Sequence, residues 1–329
     1  MIARLLLTIV LAVGTALAVD AQEKKAADAK DTLPSLKPNA SREEVAAYLK
    51  ALRPAITDLK LAFNRMEIPD QLSETPALKK LNDIPAEHLD LLILETRTFA
   101  RTRFLGSPHR AYLHVLRKKE LSEAQKRAVI ESIGDLPELL DIVIKKGWLT
   151  DAQETVVKFA KTTADTTIPN YIPALVRIDT PEAHELTAQL LLRSSVDTMA
   201  KSYRNLYASE AEEGIRRLGP NEFPWLDINT IVAKGWGLAL KQQNEATFTY
   251  ATIAACYGHK DALVLLAKKL ILAPERLSPD ELKRRDKFGK TLSRLVPTKE
   301  STAEELAGYI FANRDKLVFD SATGTYRLP

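Results

Sequence analysis

The chain has 329 residues but only one cysteine, Cys256, and only 12 glycines. A single cysteine cannot form an intramolecular disulfide, so the fold must be held together by its own apolar core. The sequence also lacks a phosphate-binding glycine loop, a dinucleotide fingerprint and a Gly-x-Ser-x-Gly nucleophile turn. These absences exclude the common nucleotide-dependent and serine-hydrolase sites.

Charge imbalance and metal-ligand spacing are lacking as well. The formal net charge of +4 is too small for a nucleic-acid-binding protein of this length. His109 and His114 are five residues apart, whereas a helical zinc pair needs a spacing of four. Cys256 and His259 could form a thiolate–imidazole pair, but a small core cysteine beside a turn histidine is the commoner arrangement. We therefore expect no metal, no cofactor and no nucleic-acid partner.

Long apolar runs are confined to the N-terminus. Residues 1–21 combine Arg4, an apolar run over 5–13 and small residues before Ala21, which is typical of a signal peptide. The run is too short and ends too sharply at Asp20 for a transmembrane helix, although an uncleaved anchor is the alternative. We expect export to the periplasm or the extracellular space, with no transmembrane segment in the mature chain.

The remaining sequence is predicted to be a linker followed by helices. Residues 22–40 contain only two large apolar side chains, Leu33 and Leu36, and are expected to form a flexible linker. From residue 41 onward, capping boxes predict helix starts, because the hydroxyl and the Glu or Gln three residues later satisfy free backbone NH groups. The five boxes are Ser41/Glu44, Ser122/Gln125, Thr150/Gln153, Ser278/Glu281 and Ser301/Glu304.

The most specific pattern is a short phrase that occurs twice. Residues 144–148 (IKKGW) recur as 232–236 (VAKGW), 88 residues later. That separation is close to two helical hairpins of roughly 40–47 residues, the length of a HEAT or armadillo unit. The phrase therefore predicts a repeat architecture.

Each copy of the phrase predicts the end of a helix. Gly147 and Gly235 would adopt the left-handed conformation after the last turn, and Trp148 and Trp236 would be the next residues out. The lysines before each glycine would suit the negative end of the helix dipole. The alternative is that the two tryptophans form the rim of a ligand-binding surface, since Trp is enriched at binding hot spots. We favour structural helix caps for these four residues.

Two segments resemble known helical repeats. Residues 171–192, with Pro173 in the first helix and an Asp-Thr-Pro turn at 179–181, resemble a degenerate HEAT-type unit. Residues 256–270 are similar to the second half of such a unit, with an ankyrin- or Sel1-like character. As a whole the chain resembles a degenerate HEAT-like repeat protein of armadillo- or Sel1-like character. The resemblance implies an exported bacterial interaction scaffold with a curved surface and without catalytic residues.

The predicted fold is therefore all-α. Residues 41–299 are expected to form an α-solenoid of stacked helical hairpins, and 300–329 a C-terminal helix with a small β-hairpin turned at Gly324. The hairpin would cap the exposed face of the terminal repeat.

The predicted function is an exported, non-enzymatic scaffold or binding protein that acts on a protein or an anionic cell-envelope component. The candidate partner-binding residues lie in the two densest basic stretches: Lys118, Lys119, Lys283, Arg284 and Arg285. Because export argues against nucleic acid, these stretches would meet anionic lipid headgroups or envelope polymers. The alternative is that they are simply solvated helix faces, as charge runs on helices usually are.

The alternative is an α/α-toroid or superhelical enzyme that acts on a glycan through paired carboxylates. The acidic cluster of Glu210, Glu212 and Glu213 could supply such groups, but a solvated helix face is the simpler interpretation.

Overall fold

The fold is known from a computed structural model that describes residues 33–58, 75–100, 109–206, 222–242, 244–272, 277–300 and 302–329. The expected signal peptide, 1–21, lies outside these ranges, as does most of the expected linker. In the described part of the chain, no helix has both the length and the apolar composition needed to cross a bilayer.

The chain divides into two structural units, unit 1 (1–146) and unit 2 (147–329). The helices of unit 1 within the described ranges are α1 Arg42–Asp58, α2 Pro76–Asn82, α3 Asp90–Ala100, α4 His109–Lys118, α5 Glu123–Glu131 and α6 Leu140–Lys145. Those of unit 2 are α7 Leu149–Lys161, α8 Ile168–Leu175, α9 Pro181–Arg193, α10 Val196–Leu206, α11 Ile228–Gln242, α12 Glu245–Cys256, α13 Lys260–Leu270, α14 Pro279–Leu295 and α15 Ala303–Asn313. Single turns of 3-10 helix occur at Ala86–His88, Ser132–Gly134, Pro137–Leu139 and Asp165–Thr167.

The all-α class is confirmed, because the described residues contain these helices and one two-stranded sheet. Three of the predicted capping boxes are confirmed as helix starts: Ser41/Glu44, Ser122/Gln125 and Ser278/Glu281. The stacking of hairpins into a solenoid and the domain boundaries at 41–299 and 300–329 stay predictions.

The core of unit 1 forms because its helices bury one face each. On α4 the buried apolar residues are Ala111, Tyr112, Val115 and Leu116, spaced so that they share one side of the helix. This helix packs against α3 and also contacts α2 and α6. Ion pairs between an arginine and a carboxylate join α4 to α6 and α1 to α3.

Arg117 on α4 forms the most buried of these ion pairs. Its guanidinium contacts the carboxylate of Asp141 on α6, and the exposed fractions of the two side chains are 8% and 26%. Arg97 and Asp135 form a similar pair at 2.6 Å, but both side chains are about two-fifths exposed. The two pairs therefore use the same chemistry at different depths.

Replacing Arg117 is expected to destabilise unit 1 more than replacing Arg97. Arg117→Met should lower the free energy of unfolding by about 2 kcal/mol, because Asp141 keeps a partly desolvated charge without its partner. Arg97→Met should change it by less than about 1 kcal/mol, as is usual for exposed pairs. Urea unfolding of both variants measures the difference. Adding Asp141→Leu to Arg117→Met should recover part of the loss, and equal effects of the two single variants would contradict the assignment.

Helices of unit 2 pack mainly on neighbours one or two positions along the chain. Adjacent pairs include α11 with α12 and α12 with α13, while α8 packs on α10, α10 on α12, and α13 on α15. Most helix–helix contacts of unit 2 therefore join helices that are close in sequence.

The start of α9 follows the sequence closely, since the hydroxyl of Thr180 accepts from the NH of Ala183 and Pro181 occupies the first turn.

The predicted C-terminal hairpin is confirmed. Strands β1 (Val318–Asp320) and β2 (Thr325–Arg327) pair antiparallel, with Phe319 opposite Tyr326. Gly324 supplies the left-handed turn residue, with φ of 70°. Tyr326 is buried, and its hydroxyl donates to the carbonyl of Ala255 at the end of α12, 3.1 Å away. The hairpin is thus fastened to the helices of unit 2.

Candidate functional site

Gly147 has the conformation that the sequence predicts. Helix α6 ends at Lys145, Lys146 is its C-cap, and Gly147 follows with φ of 71°. Trp148 is half-buried and is the N-cap of α7. The first copy of the repeated phrase therefore separates two helices through a glycine that can enter left-handed space without a steric penalty.

The expectation of a second helix end at Gly235 is wrong. Helix α11 runs from Ile228 through Gly235 and Trp236 to Gln242, so neither residue is a cap. The reason for the glycine is close packing: a Cβ at Gly235 would overlap the hydroxyl end of Tyr250 and lie 2.8 Å from its Cε1. The two copies of the phrase are alike in sequence and different in structure.

Trp236 is part of the core. Its side chain is buried, and Nε1 donates to Oδ2 of Asp261, 2.9 Å away, in the first turn of α13. This bond ties α11 to α13. Both the apolar ring and the polar NH are therefore used by the fold, and Trp236 does not belong to a ligand-binding rim.

Two of the predicted partner-binding residues also hold the fold together. Arg285 on α14 donates from Nε and Nη2 to the carbonyl of Leu270, at 3.1 and 2.9 Å, and pairs with Glu304. It therefore binds the free carbonyl at the end of α13, as a cation near a helix C-terminus does. Lys119 donates from Nζ to the carbonyl of Asn82 at 2.8 Å. Both side chains therefore have structural partners, and their role in partner binding stays a prediction.

Lys118, Lys283 and Arg284 are exposed, and Lys283 is the first of four cations on one side of α14. We call this set the α14 basic row: Lys283, Lys287, Lys290 and Arg294. Their spacing of four, three and four residues places them in one line along the helix, about 16 Å long. All four are exposed, and within the described ranges none of them forms an ion pair. Arg294 lies beyond the dense basic stretch of the sequence. Local charge density therefore did not identify it as a member of the row, which only the helical spacing reveals.

Acidic side chains flank the α14 basic row. Asp286 is exposed and lies three residues after Lys283 and four before Lys290, on one side of the line. Asp280 is exposed on the other side, in the first turn. Glu281 is occupied by the capping box, since its carboxylate accepts from the backbone NH and the hydroxyl of Ser278. Arg284, which is also exposed, lies next to the row on the side of Asp280, so the row is bordered by charges of both signs.

Cys256 is unsuited to nucleophilic chemistry. Its thiol is buried in α12, and this burial raises its pKa to about 12, so the thiolate is scarce near neutral pH. His259 is the N-cap residue of α13 and follows Gly258, which has φ of 89°. The pair therefore belongs to the α12–α13 turn. Among the described residues, no group of three His, Cys, Asp or Glu side chains could hold a metal ion.

An open depression of about 550 Å³ lies where α10 and α12 begin. Its polar groups already serve the helix starts: Oγ of Ser195 donates to Asp165, and the side chain of Asn244 accepts from the NH of Ala246. It offers a ligand few free polar partners. The acidic cluster of Glu210, Glu212 and Glu213 lies outside the described residues.

His109 is a buried titratable group at the start of α4. Burial lowers its pKa to about 4, and the neighbouring guanidinium of Arg110 acts in the same direction. The imidazole is therefore neutral in the folded protein near neutral pH.

No protein-family model, curated protein or solved structure matches this chain. The HEAT-like resemblance thus stays a prediction. Among the features described above, the α14 basic row is the candidate site.

Proposed function

We propose that the mature chain is an exported, non-enzymatic helical-repeat protein that binds an anionic component of the cell envelope. The observation that carries this proposal is the α14 basic row, an exposed line of four cations without ion-pair partners in the described ranges. Unpaired cations in a line raise the local concentration of anions and speed their association. A purely structural helix face would more often alternate its charges.

The packing order of unit 2 supports the repeat part of the proposal. Helices that pack on neighbours one and two positions along the chain are what stacked hairpins produce. Repeat proteins of this kind commonly present an extended surface to another macromolecule. Export is supported by the pattern of residues 1–21.

Envelope binding is expected to depend on the α14 basic row. Residues 22–329 should co-sediment with isolated envelope material, and changing all four row residues to Gln should reduce the retained fraction severalfold. Raising the ionic strength from about 0.05 to about 0.5 M should release the unaltered chain, because the Debye length then falls to a few ångströms.

The matched control removes the same amount of charge elsewhere. It changes four exposed lysines to Gln: Lys37, Lys50, Lys145 and Lys241. This variant should be retained like the unaltered chain. Equal retention of the row variant, or equal loss in both variants, would overturn the proposal, since binding would then follow net charge or another surface.

A further inference from the structure

We infer that the chain contains two copies of a five-helix module, α2–α6 and α7–α11, and that the lysine before the repeated glycine ties the fifth helix of each copy to the end of the third. This inference goes beyond the proposed function and does not depend on envelope binding. It follows from four hydrogen bonds at helix ends, from the packing order of the helices and from the position of the repeated phrase.

The repeated lysine makes the same kind of contact in both copies of the phrase. Lys146 donates from Nζ to the carbonyl of Lys119, 2.8 Å away and just after the end of α4. Lys234, at the equivalent place in the second copy, donates from Nζ to the carbonyl of Leu192 in the last turn of α9. In each case the acceptor lies at the end of the helix two positions earlier along the chain. The glycine differs in conformation between the copies, whereas the lysine has the same kind of partner in both.

A second pair of bonds joins the first helix of each module to the third. Lys119 donates from Nζ to the carbonyl of Asn82, the last residue of α2, at 2.8 Å. Arg193, the last residue of α9, donates from Nη2 to the carbonyl of Thr163, just after α7, at 3.0 Å. In both modules, therefore, a cation at the end of the third helix binds the end of the first, and the repeated lysine binds the end of the third.

Helix packing follows the same order in the two modules. The first helix packs on the third in each, α2 on α4 and α7 on α9, and the third packs on the fifth, α4 on α6 and α9 on α11. The second helix packs on the fourth, α3 on α5 and α8 on α10. Contacts between alternate helices are expected when helical hairpins stack. The agreement in packing and in hydrogen bonds favours a repeated module over a chance recurrence of the phrase.

The four bonds have a direct physical role. The last carbonyls of an α-helix have no partner within the helix and lie at the negative end of its dipole. A cation from another helix satisfies one of these carbonyls and thereby holds the two helices together. The equivalent cation is lysine in one module and arginine in the other, Lys119 and Arg193, so the position requires a positive charge and not one particular side chain.

The test is hydrogen exchange of residues 22–329 carrying Lys146→Met or Lys234→Met, changes that remove the ammonium and keep an unbranched side chain. Lys146→Met should accelerate exchange of the amides in the last turn of α4 roughly two- to fivefold, and Lys234→Met those in the last turn of α9 to a similar extent. Lys146→Arg and Lys234→Arg should exchange like the unaltered chain, because a guanidinium can donate to the same carbonyls.

The matched controls are Lys145→Met and Lys241→Met, which remove exposed lysines from the same two helices. They should leave the last turns of α4 and α9 unaffected. Acceleration confined to α6 or α11 would show that the repeated lysine does not act on the third helix. A response in one module alone would refute the equivalence of the two copies. Equal acceleration in the control variants would assign the effect to net charge and would also overturn the inference.

Discussion

Gly235→Ala is expected to lower the free energy of unfolding of unit 2 by about 1–2 kcal/mol. The new methyl group would overlap the hydroxyl end of Tyr250. That tyrosine cannot swing away easily, because it is almost fully buried and its hydroxyl lies against the carbonyl of Ile231 and the sulfur of Met199. Overpacking of this kind usually costs about 1–3 kcal/mol, and it outweighs the gain of up to about 1 kcal/mol from replacing a helical glycine.

Gly237 provides the matched control, two residues further along α11. A Cβ there would meet nothing within 4 Å. Gly237→Ala should therefore raise stability by about 0.5–1 kcal/mol, the ordinary helix-propensity gain. Urea unfolding followed by tryptophan fluorescence measures both variants. If both changes stabilised the protein to the same extent, the close approach of α11 and α12 at Gly235 would be refuted.

Acidification is expected to destabilise unit 1 through His109. The folded state holds the pKa of this imidazole at about 4, below its ordinary value of 6.5. Between these values the unfolded chain binds the proton more readily, so stability is full above pH 6.5 and decreases as the pH falls toward 4. The loss attributable to this one group is about 3 kcal/mol at pH 4.

The comparison that isolates this effect uses His109→Gln. Other groups titrate in the same window, so the informative quantity is the difference between the pH dependences of the variant and the unaltered chain. The variant should be less stable at pH 7 or unchanged, yet it should lose less stability between pH 6.5 and 4. Hydrogen exchange of the α4 amides at several pH values measures the difference in stability loss between the two proteins. Parallel curves for the two proteins would show that His109 is not the responsible group.

Helix starts were predictable from sequence where the capping pair decides them locally. Thr150/Gln153 failed because α7 already begins at Leu149, with Trp148 as its N-cap. The predicted box at Ser301/Glu304 is displaced by one residue, to Thr302/Glu305. At the first site the N-cap, Trp148, makes no side-chain capping bond, whereas at the second site the neighbouring pair Thr302/Glu305 forms the box.

One capping box carried no recognisable signal. Asn244 caps α12 together with Thr247, whose hydroxyl accepts from the NH of Asn244 and donates to the carbonyl of Ala239. A threonine in place of Glu or Gln at the third position does not fit the usual pattern. Thr247 suits this position because its hydroxyl also contacts the preceding helix, α11. A contact of this kind leaves no pattern in the local sequence.

The two Lys-Gly-Trp copies differ because of residues far away in the sequence. The same three residues end a helix at Gly147 and continue one at Gly235, because Tyr250 and Asp261 from other helices engage the second copy. Contacts with residues distant in sequence also determine which basic side chains are exposed and which are bound to the protein. The exposure of Lys283 was predictable from its charged surroundings, whereas the bond from Arg285 to Leu270 depends on how α13 and α14 pack.

The hairpin contact has a consequence for biosynthesis. Tyr326 follows the carbonyl that it binds, Ala255, by 71 residues. A ribosome must therefore complete α13, α14 and α15 before this bond can close, and until then the turn after α12 lacks the cover of Phe319 as well. Nascent chains arrested before Leu317 contain every described helix of unit 2 but cannot form the hydrogen bond between Tyr326 and Ala255. The contact between the hairpin and α12 is therefore among the last in unit 2 that can form during synthesis.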